Sequence, residues 1–122
     1  MKTLGQVVGE VKRLRPSGYS GEEMTVWVNE LQADIWSDVW LRTTEAPVLD
    51  WALDQQEALL LDANWSGLYH AWIGAQIDFH NGEYDKYQNS MEMYNAHWRR
   101  YAAWYGNTYL ANPPLRENMA RG

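Results

Sequence analysis

The stretch Tyr19-Ser20-Gly21-Glu22-Glu23-Met24-Thr25-Val26-Trp27-Val28 decides how this chain is read. Ser20 followed three residues later by Glu23 forms a capping box, in which each side chain reaches a backbone N–H that has no partner inside the helix. Tyr19 stands where it can staple onto Met24. A helix therefore opens at Ser20. Beyond it Met24, Trp27, Val28, Leu31, Ile35 and Val39 recur at steps of three and four, which places them on one apolar stripe. On another face Glu30, Asp34 and Asp38 follow at intervals of four, an acidic ladder whose members repel one another slightly. Such a ladder is most simply a solvated face, and it also offers a seat to a basic segment of another subunit.

Upstream, Thr3 and Gln6 form a second capping box, and Leu4, Val7, Val8, Val11 and Leu14 keep helical spacing, so helix one is expected from about Thr3 to Arg15. Pro16, Ser17 and Gly18 stop it. Downstream, periodicity is lost from Thr43 to Asp62 and Pro47 interrupts, giving a long loop with at most a short extended piece over 58–61. Trp51 in this loop requires cover, from this chain or a neighbour.

Helix three is expected from about Asn64, carrying Trp65, Leu68, Tyr69, Trp72, Ile73, Ala75, Ile77 and Phe79. Apolar around more than half its circumference, it should be central. Asn81-Gly82 ends or kinks it. In helix four Tyr84, Tyr87, Met91, Tyr94, Trp98, Tyr101 and Tyr105 alternate at steps of three and four, a seam expected to lie against helices two and three. Pro113-Pro114 prevents the helix from continuing through the tail. The expected fold is all-α: a small four-helix bundle over residues 1–110, with a long loop between helices two and three, and an irregular tail or arm over 111–122.

The chain has 122 residues, 46% of them hydrophobic and 21% charged, which suits one globular core. Eight Trp and eight Tyr stand against a single Phe. Rings with a hydrogen-bonding edge suit either the rim of a core or an interface. Net charge is −6 and is unevenly spread. Residues 1–15 and 95–122 are basic and the long middle is acidic, so general duplex binding is disfavoured and basic ends could dock on a neighbour's acidic middle. No apolar run approaches the roughly 20 residues that cross a bilayer, and Met1 to Gln6 lacks an apolar leader core, so a soluble, unexported protein is expected.

Zero cysteines exclude disulfides, thiolate metal sites and a cysteine nucleophile. No phosphate-cradling glycine loop, H-E-x-x-H or EF-hand loop occurs. A di-iron bundle site needs Glu-x-x-His, and none of the nine glutamates is followed by His at the third position. His70, His80 and His97, with Asp78, Glu83 and Glu92, are the residual candidates for a metal site or an acid–base pair, against the simpler reading of rim histidines. The expectation is a protein without catalytic residues, cofactor or metal.

Several strings resemble the head–tail connector, or neck adaptor, proteins of tailed bacteriophages. In the first half these are Arg15-Pro16, then Tyr19-Ser20-x-x-Glu23 opening a helix with Trp27-Val28-x-Glu30-Leu31 and Ile35-Trp36. In the second half they are Leu68-Tyr69 with Trp72, Ala75-x-Ile77-Asp78, Asn81-Gly82-Glu83-Tyr84, Lys86-Tyr87-Gln88-Asn89-Ser90 and Tyr94-Asn95. The resemblance covers about residues 3–105 and departs from the family over 46–62, where the loop is shorter and richer in Trp.

It implies a virion structural protein, assembled in the host cytoplasm into a homo-oligomeric ring of about twelvefold symmetry. That ring would sit at the neck between the portal protein and a tail or second neck protein, with DNA passing through and no membrane involved. On this reading Trp36, Trp40, Trp51, Arg99 and Arg100 are candidate subunit contacts, and Glu30, Asp34 and Asp38 candidate bore-facing acids. Pro113, Pro114, Leu115 and Arg116 form a candidate arm gripping the portal. The alternative is a small helical partner-binding or regulatory protein outside any virion; a third is an enzyme or metal protein using the histidines.

Overall fold

The computed structural model describes residues 1–110. Four α-helices carry the fold: α1 (Leu4–Leu14), α2 (Gly21–Asp34), α3 (Ser66–His80) and α4 (Tyr84–Tyr105). Among the described residues there is no strand, and the single antiparallel bridge joins Thr3 to Ala58. The protein is an all-α four-helix fold.

Both capping boxes form. Thr3 and Gln6 exchange hydrogen bonds at the start of α1, as do Ser20 and Glu23 at the start of α2. At the other end of α3, Gly82 takes a φ of +74°, the left-handed geometry that glycine adopts without a Cβ penalty. The Glu83 N–H reaches back to the Asp78 carbonyl (2.9 Å) and the Gly82 N–H to that of Phe79 (3.0 Å), the paired bonds of a Schellman cap. This turn folds α4 back along α3.

Helix α3 touches each of the other three helices, as its nearly all-round apolar surface requires. Its Leu68, Tyr69, Ile73 and Ile77 meet Leu4, Val7, Val8 and Val11 of α1 and Met24, Val28 and Leu31 of α2 in one core. The apolar stripe of helix two is buried throughout, including Ile35 and Val39. Past Asp34, however, the helix widens into a π turn over Ile35–Val39, in which the Trp40 N–H bonds the Ile35 carbonyl at 2.8 Å.

The α4 seam is shallower than its heptads suggest. Tyr94 and Tyr101 are buried, Tyr87, Met91, Trp98 and Tyr105 are half-buried, and Tyr84 is exposed. Packed on α3, α4 leaves Tyr84, Tyr87 and Tyr105 at the rim, where a ring with a hydroxyl can keep water. Phe79 and Leu14, both on expected apolar faces, are exposed at the ends of their helices.

The 41–62 loop belongs to the core. Leu59 and Leu61 are each only 2% exposed. The Glu57 and Gln55 carbonyls accept the Leu4 and Gly5 N–H groups (3.0 and 2.9 Å), so the loop caps α1 beside Thr3. Two amide side chains of α2 fasten it. Asn29 exchanges bonds with the Leu49 backbone (2.9 and 3.0 Å), and buried Gln32 accepts from the Leu60 N–H (2.8 Å) and from the Tyr69 hydroxyl (2.5 Å).

Trp51 meets its own chain: its ring lies over Gly21 at the start of α2, with the Lys12 ammonium 5.9 Å from the ring centre. A Cβ at Gly21 would overlap that ring. Gly21→Ala should therefore expel Trp51 and cost about 2 kcal/mol of stability, the usual scale of overpacking. Urea unfolding followed by Trp fluorescence measures this, and an unchanged midpoint would mean the ring is not wedged there.

Candidate functional site

Three regions concentrate the chemically capable side chains. The first is the acidic ladder on α2 and its π turn. Glu30, Asp34 and Asp38 are all exposed, and none has an ion-pair partner among the described residues. Partial burial and the charge of Asp38 raise the Asp34 pKa, the mutual repulsion that the i, i+4 spacing anticipates. Glu30 and Asp34 form one wall of an open groove of about 540 Å³, whose other wall includes Trp72, Gln76 and Tyr87.

The second region is a groove of about 400 Å³ where α1, α3 and α4 meet, lined by Leu14, Ala71, Met93, Arg15, His70 and His97 among others. Arg15, His70 and Ser90 in it are already engaged. Arg15 holds Asp78 with two bonds (2.5 and 3.3 Å) and also donates to the Gly74 carbonyl (2.9 Å). A Cβ at Gly74 would stand 2.9 Å from the guanidinium, so the glycine makes room for this bond. Ser90 donates a further bond to Asp78 at 2.5 Å. Burial alone would raise the Asp78 pKa; the hydrogen bonds from Arg15 and Ser90 and the guanidinium charge outweigh it and hold the carboxyl below its ordinary 3.8. Glu10 follows the same balance. Desolvation raises it, and Lys2 (2.6 Å) and His70 (2.9 Å) bring it below 4.5.

The histidines do not converge. His70 pairs with Glu10, His80 stacks on Trp27 with centroids 5.3 Å apart, and His97 lies beside Gly67. Glu83 pairs with Lys86 at 2.7 Å. Among the described residues no group of three or more His, Asp or Glu side chains is placed to hold a metal ion.

The third region is the aromatic end of the bundle. Trp36 donates its Nε1–H to the Thr44 carbonyl (2.9 Å), and the Arg42 guanidinium lies over both Trp36 and Trp40, 5.3 and 5.7 Å from the ring centres. Trp40 donates to the Tyr101 hydroxyl (2.8 Å) and stacks on Tyr105. Burial pushes the Tyr101 hydroxyl up to about 12, against the opposing bond from Trp40. The three tryptophans expected as subunit contacts are thus engaged within their own chain, half-buried. Arg99 is exposed without an ion-pair partner among the described residues, and Arg100 reaches over Trp65 at 6.0 Å. Pro113, Pro114, Leu115 and Arg116 lie outside the described residues.

Sequence reasoning passed over Asn29, Gln32 and Ser90, whose partners lie 12 to 37 residues away in the chain. Compared with known proteins, the chain matches no family model, no curated protein and no solved structure.

Proposed function

We propose that this protein is a structural head–tail connector of a tailed bacteriophage, one copy in a closed ring of about twelve beneath the portal. The observation that carries this reading is the exposed, unpaired acidic ladder of Glu30, Asp34 and Asp38 along one helix. Turned into a bore, such a face presents duplex phosphates with like charge and lets DNA pass without adhering. The use of the resembling residues agrees with a structural role. Ser20 and Glu23 cap, Leu68, Tyr69 and Ile77 fill the core, Gly82 makes the turn, and Asp78 binds α3 to the end of α1. Among the described residues no helix is long and apolar enough to cross a membrane.

Peptide counting by mass spectrometry on purified particles tests the proposal. Copies near those of the portal protein are expected, and absence from intact particles would end the connector reading. Replacing Glu30, Asp34 and Asp38 together by Lys should leave the fold intact and lower infectious titre by about tenfold or more through arrested DNA passage. Unchanged titre and ejection would remove the ladder from the bore.

A second reading, a helical partner-binding protein outside the virion, draws on the groove between α1 and α4, where Leu14 and Met93 stand 66% and 63% exposed. The same particle count separates the two.

A further inference from the structure

The turn over residues 50–54 holds an apolar side chain out on a fixed crest. The Asp50 carboxylate accepts the Ala52 and Leu53 N–H groups (2.9 and 3.1 Å), and the Asp54 carboxylate accepts the Asp50 N–H (2.7 Å). The Asp54 N–H closes the turn on the Asp50 carbonyl at 2.8 Å. Its foot is fastened by the Asn29–Leu49 bonds and by Trp51 against Gly21. At the crest Leu53 is 83% exposed, more than any other large hydrophobic side chain among the described residues. A lone exposed leucine is ordinary on a surface. One carried on a turn that its own carboxylates have already ordered is different, because it loses little entropy on docking.

Charge points to what the crest fits. Residues 45–57 carry Glu45, Asp50, Asp54 and Glu57 and no Lys or Arg. The groove where α1, α3 and α4 meet has the opposite cast. Leu14 and Met93 give it exposed apolar walls, its titratable lining residues are Arg15, His70 and His97, and no carboxylate lines it. Asp78 and Glu10 answer Arg15 and His70. Along α4, however, the sequence runs on into exposed Arg99 and Arg100, with Glu92 the only acid between Lys86 and Arg100. An acid-flanked apolar knob and a base-flanked apolar groove are complementary in both respects.

Within one chain the two stand apart. The turn is tied to α2 through Asn29 and Gly21, and no α2 residue lines the groove. We propose that the Leu53 crest of one copy seats in the α1–α3–α4 groove of a second copy. Knob and groove are different patches, so each bound copy still offers its other patch, and the contact runs head to tail until it closes. The choice of a second copy as occupant rests on the ring reading as well as on charge, and the contact gives that ring its subunit interface.

Cross-linking tests it, since the chain has no cysteine and single ones can be placed at exposed positions. Full-length Leu53→Cys and Met93→Cys proteins, mixed in equal amounts and treated with a short bismaleimide, should give a mixed dimer about tenfold more abundant than either like pair. High salt should lower that yield several-fold. Tyr84→Cys, 61% exposed and outside the groove, should give no such excess with Leu53→Cys. A mixed yield no greater than the like pairs, or one that high salt leaves unchanged, would overturn the contact and leave the groove to a different partner, whatever the particle count says of the connector reading. The expected cross-link in a chain absent from phage particles would keep the contact and end the connector reading alone.

Discussion

Asp78→Ala should lower the unfolding free energy by about 3 kcal/mol, a fall in melting temperature on the order of 10 °C. The carboxyl is buried, 1% exposed, and ties three parts of the chain together. It receives Arg15 from the end of α1 and Ser90 from α4 while sitting on α3. Removing it strands a guanidinium beside the Gly74 carbonyl and leaves the Ser90 hydroxyl without its acceptor. The cost falls at the lower end of the range for broken buried pairs, because the Arg15 side chain is 38% exposed and can recover some water.

The same carboxyl sets an acid limb. Its folded pKa lies below its ordinary 3.8, so its stabilisation is complete above that value and is lost as pH falls through the folded pKa. Glu10, also lowered, adds to this loss, and Asp34, raised, opposes it. Urea unfolding between pH 2.5 and 7 should show stability falling below about pH 4, with a flatter fall in the variant. Parallel curves for the two proteins would show that Asp78 does not carry the limb.

Gln32→Ala should cost a comparable amount, about 3 kcal/mol, since two buried donors lose one acceptor together. The amide oxygen is the meeting point of the Leu60 N–H and the Tyr69 hydroxyl, and that hydroxyl in turn accepts the Leu61 N–H at 3.3 Å. Burial drives the Tyr69 pKa upward, so the ring remains a neutral donor and cannot escape the loss by ionising. Hydrogen exchange should locate the damage. Amides of Leu60 and Leu61 should lose protection first, followed by those of Leu4 and Gly5, which the same loop caps. Protection lost uniformly over all four helices would mean that the loop and bundle unfold as one unit.

What the sequence made legible was local. Ser20 with Glu23 and Thr3 with Gln6 announce helix starts within four residues, and the stripe from Met24 to Val39 needs only its own period to be read. The exposure of Glu30, Asp34 and Asp38 followed from the same period. What was hidden depends on residues far apart in the chain. Gln32 looks like an ordinary surface residue, and Asp78 like a candidate metal ligand or acid, until Leu60, 28 residues away, and Arg15, 63 residues away, are folded onto them. Trp36 and Trp40 were equally opaque, because the Thr44 carbonyl and the Tyr101 hydroxyl that hold them come from a turn and a distant helix. The π turn after Asp34 adds a residue that no hydrophobic period announces, and it carries Trp40 to Tyr101.

The cap that the loop places on α1 also bears on the order in which the chain acquires structure. Synthesis delivers α1 well before the carbonyls that satisfy its Leu4 and Gly5 amides, which belong to Glu57 and Gln55, some fifty residues later. The α3–α4 hairpin, closed by the Gly82 turn, makes its contacts between near neighbours and can form early. Closing the longer span to Glu57 costs more chain entropy and comes later. Helix α1 is thus made well before it is completed, and a nascent chain that stops short of Glu57 carries an α1 with its first turn uncapped and its apolar stripe still lacking the cover of α3.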